Sequence, residues 1–297
     1  MNTTSLHIPS NRVCDIERYI YEELSGLYPK EELRQFILML FEAFLGWDQV
    51  RFLLNCQNTI NQSDLLRFHW AVEDLRNYRP IQHIVGYATF LDLRIEVDSH
   101  VLIPRPETEQ IVAWTIRSLP SPPSSILDLC TGSGCIAIAL SKSFPQSQVI
   151  GVDVSPEALT LARWNAENLL PPGKGGSTLR FLQCDLLHET DRLPQGKHDL
   201  IISNPPYVVP SEKSAIAPNV LQYEPSLALF VPEEDPLIFY RIIARHAHGH
   251  LSPEGMLVFE INPLFSREML RMLEDMGFRP QLHEDFSGRP RFISATL

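Results

Sequence analysis

The chain has no excess of positive charge: 25 lysines and arginines stand against 36 aspartates and glutamates over 297 residues, a formal net charge of -11. A field of that sign repels phosphate backbones and gives no nonspecific hold on nucleic acid. A cysteine framework is missing as well. Cys14, Cys56, Cys130, Cys135 and Cys184 are odd in number, include no CxxC pair and have no histidine at zinc-ligand spacing. Reduced thiols in a cytoplasmic protein and no bound metal are expected. No apolar run reaches the roughly 18 residues of a membrane span, and the N-terminal segment holds no apolar signal core, so neither export nor membrane insertion is expected. Repeats and low-complexity tracts are absent; PPGKGG at 171–176 reads as a flexible turn.

What is present is ordinary for a globular enzyme, with 44% hydrophobic and 21% charged residues. The length suits one large domain and a smaller companion. Over residues 12–78 apolar side chains recur at helical spacing, as in Ile16, Tyr19, Ile20 and Leu24, then Leu33, Phe36, Ile37, Leu40, Phe41 and Phe44. Breaks near 26–29, at Gly46 and at 58–63 predict three or four short helices in a small bundle. Residues 1–80 carry no catalytic constellation and read as a helical docking domain. The period changes in 81–106, where Leu93, Ile95 and Val97 alternate as in a hairpin linker. From 107 to 297 a helix ended by prolines gives way to buried strands alternating with helices. That order means parallel strands with right-handed crossovers, an α/β doubly wound, Rossmann-like domain behind a small N-terminal helical bundle.

One strand of this series runs into Asp128-Leu-Cys130-Thr131-Gly132-Ser133-Gly134 directly before a helix, and the next ends at Asp153. Small residues there let a ligand approach the helix N-terminus, and Asp153 can accept hydrogen bonds from vicinal ribose hydroxyls. With Ala137 at the third position of a GxGxxG pattern, the turn alone leaves a dinucleotide open. Asp185, ending RFLQCD, is placed to accept from an adenine amine.

After the buried strand DLIIS comes Asn204-Pro205-Pro206-Tyr207. Strands of this class end at the ligand crevice. The prolines stiffen the backbone, so the Asn204 Oδ1 and the Pro205 carbonyl can converge on one planar NH2 group. Two acceptors on its hydrogens would favour positive charge developing on nitrogen as a methyl group is transferred from a sulfonium, a displacement that needs no metal. Tyr207 is expected to stack on the amide plane and turn its face to the cation. Adenine, guanine and glutamine all present such an NH2, so the motif does not name the substrate.

The chain resembles bacterial and organellar peptide chain release factor glutamine methyltransferases, the HemK/PrmC family. The resemblance rests on RPIQHIVG (79–86), LIPRPETE (102–109), DLCTGSGCIAIAL (128–140), SNPPYV (203–208) and YEPSLALF (223–230). It implies a class I methyltransferase domain that uses S-adenosyl-L-methionine and yields S-adenosyl-L-homocysteine. It also implies methylation of the Gly-Gly-Gln glutamine of release factors on N5, with the helical domain helping to bind the factor. Asn204, Pro205, Pro206 and Tyr207 would hold the glutamine; Gly132, Gly134 and Asp153 would contact the cofactor, and Phe90 would pack near it. The sequence departs from the family at Cys130 and Asn262, where glycine is usual, and at Leu186, where some members set tryptophan against the adenine. An adenine-N6 or guanine-N2 nucleic-acid methyltransferase is the alternative, and a nicotinamide-dependent oxidoreductase a remote third.

Thr108 or Glu109 either lines the cofactor pocket or serves an acidic helix start. Glu224 either orders the loop after NPPY or is a surface residue. His246, His248 and His250 are read as surface residues.

Overall fold

The computed structural model describes residues 10–170, 178–285 and 287–297, so the turn expected at 171–176 lies outside the described residues. The chain divides into two compact units. The first runs to Gly86 and includes Pro218–Tyr223. It holds α1 (Val13–Leu24), α2 (Lys30–Leu45), α3 (Gln49–Leu54), α4 (Gln62–Arg76) and α5 (Ile81–Val85). Gly46, in the left-handed region at φ 66°, stops α2. The Asp48 and Asn61 side chains start α3 and α4 by accepting from Arg51 N and Asp64 N. The core joins Ile16, Ile20 and Leu24 of α1 to Leu33, Ile37, Leu40 and Phe41 of α2 and Phe68, Val72 and Leu75 of α4. The first turn of the expected linker is therefore helix, ended by Gly86 at φ 85°, and the hairpin begins at Tyr87.

The second unit opens with that hairpin, β1 (Tyr87–Phe90) antiparallel to β2 (Leu93–Glu96). Next come α6 (Pro106–Ser118), β3 (Ser125–Leu129), α7 (Cys135–Ser143), β4 (Gln148–Asp153), α8 (Pro156–Leu169), β5 (Thr178–Gln183) and β6 (His198–Ser203). After α9 (Pro218–Tyr223), counted with the first unit, come α10 (Ile238–His250), β7 (Leu251–Glu260), α11 (Ser266–Asp275), β8 (Arg279–Glu284) and β9 (Pro290–Thr296). Among the described residues the strands form one seven-stranded sheet in the order β5-β4-β3-β6-β7-β9-β8. β3 to β7 are parallel, and β9 runs antiparallel to both β7 and β8. The all-parallel expectation thus holds for the part that bears the motifs, while the C-terminal antiparallel pair is an addition.

The strand order turns back between β3 and β6, which puts a crevice at their carboxyl ends, where ligands bind in open α/β sheets. Two apolar layers cover the sheet, one including Ile126, Ile138, Leu200 and Val258, the other Leu127, Ile201, Tyr240 and Leu257. Alternate residues of one strand feed opposite layers, as the two-residue period requires. No helix among the described residues is long and apolar enough to cross a membrane.

One histidine reading is corrected. His248 is exposed, but His246 is buried and stacked on His250 with ring centroids 4.0 Å apart. It follows Ile243 by one helical step, on the edge of the α10 face that Tyr240, Ile243, Ala244 and Ala247 bury. That burial pushes its imidazole pKa down to about 4.

Candidate active site

At the carboxyl end of β3 the chain turns through Cys130 (φ 62°), Gly132 (φ 54°) and Gly134 (φ 80°) into α7. The two glycines serve different ends. A Cβ on Gly134 would lie 3.1 Å from Ala162 Cβ and 3.2 Å from Phe181 Cζ, so a side chain there would crowd α8 and β5 as well as strain the backbone. Around Gly132 the space is open, and only its backbone angle calls for glycine. Cys130 takes the left-handed conformation despite its side chain.

Asp153, closing β4, accepts Gly132 N at 2.8 Å and Ser155 N at 3.0 Å. It thereby ties the turn to the next strand. Burial pushes its carboxyl above the usual range against the effect of these bonds. Asp128 does not reach the crevice, contrary to expectation. It is fully buried beneath the turn and accepts Thr131 Oγ1 at 2.5 Å and Ala137 N at 3.2 Å. Its burial raises the carboxyl to about 7.

A cavity of about 280 Å³ opens over this turn, near the lower end of the roughly 300–1,000 Å³ usual for small-molecule sites. Of the residues singled out in the sequence, Cys130, Thr131, Gly132, Ser133, Asp153, Asp185, Leu186, Asn204 and Pro206 line it. Phe90, Asp128, Gly134, Pro205 and Tyr207 are not on its wall. Phe90 is fully buried in the core layer shared by the hairpin, so its neighbours are hydrophobic side chains. Asp185 accepts Leu187 N and pairs with His188 Nδ1, each at 2.8 Å; the His188 bond chiefly holds its carboxyl below the usual range. Leu186 is buried on the wall. Among the described residues no group of three or more His, Cys, Asp or Glu could hold a metal ion.

Across the cavity, Ser203 Oγ donates to Leu129 O at 2.6 Å and locks the end of β6 to β3. The next residue, Asn204, donates its side-chain NH2 to Thr108 Oγ1 at 3.2 Å. Thr108 Oγ1 donates in turn to Glu260 Oε2 at 2.5 Å, and Tyr207 OH to Glu260 Oε1 at 3.0 Å. Glu260, the buried last residue of β7, therefore ties Thr108 of α6 to Tyr207 of the loop after β6, with Asn204 joined through Thr108. Burial raises its carboxyl and raises the Tyr207 phenol well above its ordinary value. Tyr207, expected to stack over the substrate amide, instead packs against the core layer of Leu127, Ile201 and Tyr240 with its hydroxyl tethered.

Of the LIPRPETE segment, Leu102, Pro104, Arg105 and Thr108 are on the wall, and Glu109 is not. The fully buried Glu224 side chain accepts Arg105 Nη2 at 2.5 Å and Ile103 N at 2.9 Å. It clamps the stretch before α6 rather than the loop after NPPY. The sequence reading missed Glu260, although one signal was there: an acid closing the buried run MLVFE, at the crevice end of the strand beside the NPPY strand. Leu227 and Ala228 on the wall belong to the YEPSLALF segment, whereas Phe239 carried no such signal.

Residues 112–224 match the family model "Methyltransferase small domain" and residues 19–86 match "PrmC N-terminal domain". A release factor glutamine methyltransferase of Bacteroides thetaiotaomicron is 37% identical over 281 residues, spanning 94% of this chain and 98% of that protein. One of Flavobacterium psychrophilum is 38% identical, spanning 93% and 96%. Among solved structures, a methyltransferase from Pyrococcus furiosus superposes with a TM-score of 0.51 at 18% identity, over 69% of this chain and 89% of that one, a likeness of fold.

Proposed function

The chain belongs to the family of release factor glutamine methyltransferases, and from that premise we propose its substrate and donor. The substrate is the glutamine of the Gly-Gly-Gln motif in peptide chain release factors, methylated on the side-chain N5. The donor is S-adenosyl-L-methionine and the product S-adenosyl-L-homocysteine. Work in the cytoplasm and a share of the helical unit in holding the release factor are parts of the same reading.

The observation that carries it is the orientation of Asn204. Its NH2 is committed to Thr108, which leaves Oδ1 as the atom to offer a substrate. An acceptor is what an incoming NH2 group requires.

The donor set of the crevice fits S-adenosyl-L-methionine. Each Asp153 oxygen takes one backbone N–H and keeps a lone pair for a ribose hydroxyl. The open space at Gly132 leaves the backbone accessible, and Leu186 gives an apolar wall for a flat base. When bound, the cofactor supplies an electrophilic methyl group on a sulfonium. Asn204 Oδ1 and the Pro205 carbonyl hold the two hydrogens of the glutamine nitrogen and stabilise the positive charge that develops on it. Holding that nitrogen in line also removes much of the entropic part of the barrier. Pro205 and Pro206 keep this stretch of backbone rigid. The tie of Tyr207 to Glu260 and that of Val208 N to Leu229 O at 2.9 Å fix the chain on its C-terminal side. The net charge of -11 favours encounter with a basic protein surface and opposes a nucleic-acid substrate.

The test is incubation of the purified protein with methyl-labelled S-adenosyl-L-methionine and a release factor. Label should appear on the Gly-Gly-Gln glutamine and vanish when that glutamine is replaced by alanine. Label on protein-free DNA or RNA would move the reading to a base methyltransferase.

A further inference from the structure

We propose that Glu260, acting through Thr108, sets which way round the Asn204 side-chain amide sits and so keeps its oxygen turned to the substrate. This rests on the reading that Asn204 holds an NH2 group of the substrate. An asparagine amide is nearly symmetric in shape, and only its hydrogen-bond partners distinguish oxygen from nitrogen. A lone asparagine beside a cavity is free to turn over. Turned over, it would meet the substrate NH2 with a donor.

The Thr108 hydroxyl has a single proton, which it can give to only one acceptor. At 2.5 Å from Glu260 Oε2, that proton is given to the carboxylate. The Thr108 oxygen is left with lone pairs alone, and Asn204 Nδ2 fills one of them at 3.2 Å. Rotating the Asn204 amide by half a turn would press Oδ1 against an oxygen that has no proton to offer, which loses a hydrogen bond and adds repulsion. Polarity thus passes along a fixed line from carboxylate to hydroxyl to amide. Tyr207 OH donates to the other Glu260 oxygen at 3.0 Å, so the carboxylate is held from both sides. Of charged and titratable groups, Tyr207 from the loop after β6, Arg291 from β9 and Glu107 from α6 face this carboxylate. Glu260 and Thr108 are therefore positioning residues, and of the three linked side chains only Asn204 meets the substrate.

Three substitutions separate orientation from mere packing. Thr108→Val keeps the shape and removes the hydroxyl, Thr108→Ser restores it, and Glu260→Gln puts an NH2 donor where one of two acceptors stood. Purified variants are compared for kcat, KM for release factor, S-adenosyl-L-homocysteine affinity and melting temperature. The expected result is a fall in kcat of about tenfold or more for Thr108→Val and Glu260→Gln, with homocysteine-product affinity within about threefold of wild type and kcat recovered in Thr108→Ser. Thr108→Val and Glu260→Gln proteins that keep kcat within about threefold of wild type, while wild type labels the glutamine, overturn the proposal. A second measurement, on wild-type protein, needs no substrate and neither the Thr108 nor the Glu260 variants. The Asn204 side-chain amide protons, assigned by their loss in Asn204→Ala, should exchange with solvent far more slowly than exposed amides. Exchange at the rate of exposed amides overturns the orientation claim. If wild type labels no release factor yet these protons are protected, the substrate reading falls and the orientation claim stands.

Discussion

Asn262 holds the Tyr207 carbonyl oxygen by its side-chain NH2 at 3.1 Å. The same NH2 reaches Glu212 Oε2 at 2.8 Å, and the Asn262 Oδ1 accepts Leu264 N at 3.0 Å. The φ of -74° and ψ of 119° at position 262 suit any residue. Here the side chain, rather than the freedom of glycine, fastens the end of NPPY. Asn262→Ala should cost about 1–2 kcal/mol through the lost cap and the unpaired carbonyl. Urea denaturation reads the loss, and an unchanged midpoint would contradict the role.

Asn204→Ala should leave S-adenosyl-L-homocysteine affinity near wild type and lower kcat by about 10²–10³, the range seen when one preorganised polar group is removed from a charge-stabilising site. Calorimetry and single-turnover labelling separate the two quantities. Turnover at the wild-type rate would remove Asn204 from the chemistry.

The Cys130 backbone is left-handed at φ 62°, which costs a residue with a side chain roughly 1–2 kcal/mol. Glycine would relieve that strain but lose more conformational entropy on folding, about 0.4–1 kcal/mol. Cys130→Gly should therefore stay within about 1 kcal/mol of wild type, whereas the β-branched Cys130→Val should be the least stable of the three by denaturation. A valine protein as stable as wild type would mean that the turn relaxes. Burial also raises the Cys130 thiol well above its ordinary pKa, so alkylation at neutral pH should be slow in the folded protein.

Much of this architecture was legible because its signals are periodic. Ile16, Ile20 and Leu24 recur one helical turn apart, and the buried runs SILDL and DLIIS end in loops that a parallel sheet must bring together. The C-terminal pair was not legible. Arg279–Glu284 mixes polar and apolar residues around Pro280, and a short edge strand of that kind has no strong pattern. Asp128 shows the other limit. The sequence puts an acid at a strand end but does not say which layer it enters, and two residues later the chain is already in the turn. Glu260 illustrates the same gap in reverse: the two side chains it holds, Thr108 and Tyr207, lie 152 and 53 positions before it, and no local pattern encodes such a meeting.

Glu224 is fully buried, while Arg105 keeps about a third of its side chain in solvent. Breaking a buried pair costs about 3–5 kcal/mol, but an Arg105 that can turn to water softens this, so Glu224→Ala should cost nearer 2 kcal/mol. Ile103 N would also lose its acceptor, and the stretch 102–105 lines the cavity through Leu102, Pro104 and Arg105. Cofactor affinity should fall by about tenfold. Calorimetric titration with S-adenosyl-L-homocysteine checks this, and affinity equal to wild type would show that the clamp serves stability alone.

Asp128 should make the protein less stable as pH rises. Its folded pKa is raised from 3.8 to about 7 by burial, so between these values the native state binds more protons than the unfolded chain and stability falls with pH. The contribution is whole below about pH 4 and is lost as pH passes 7. At the upper bound it is on the order of 4 kcal/mol, since each pKa unit is worth about 1.4 kcal/mol. Asp128→Asn removes the titration and keeps an oxygen for Thr131 Oγ1 and Ala137 N. It also buries an NH2 where Asp128 Oδ1 now has no partner, a constant cost of about 1–3 kcal/mol. The variant should therefore be no more stable than wild type at pH 5 and gain on it steadily towards pH 8. Asp153 and Glu260 are raised in the same direction by burial, while the lowered His246 acts oppositely up to its free value, so the contribution of Asp128 is read from the difference between the two curves. Urea midpoints of both proteins across this range decide the matter: parallel curves would mean that Asp128 does not take up a proton on folding.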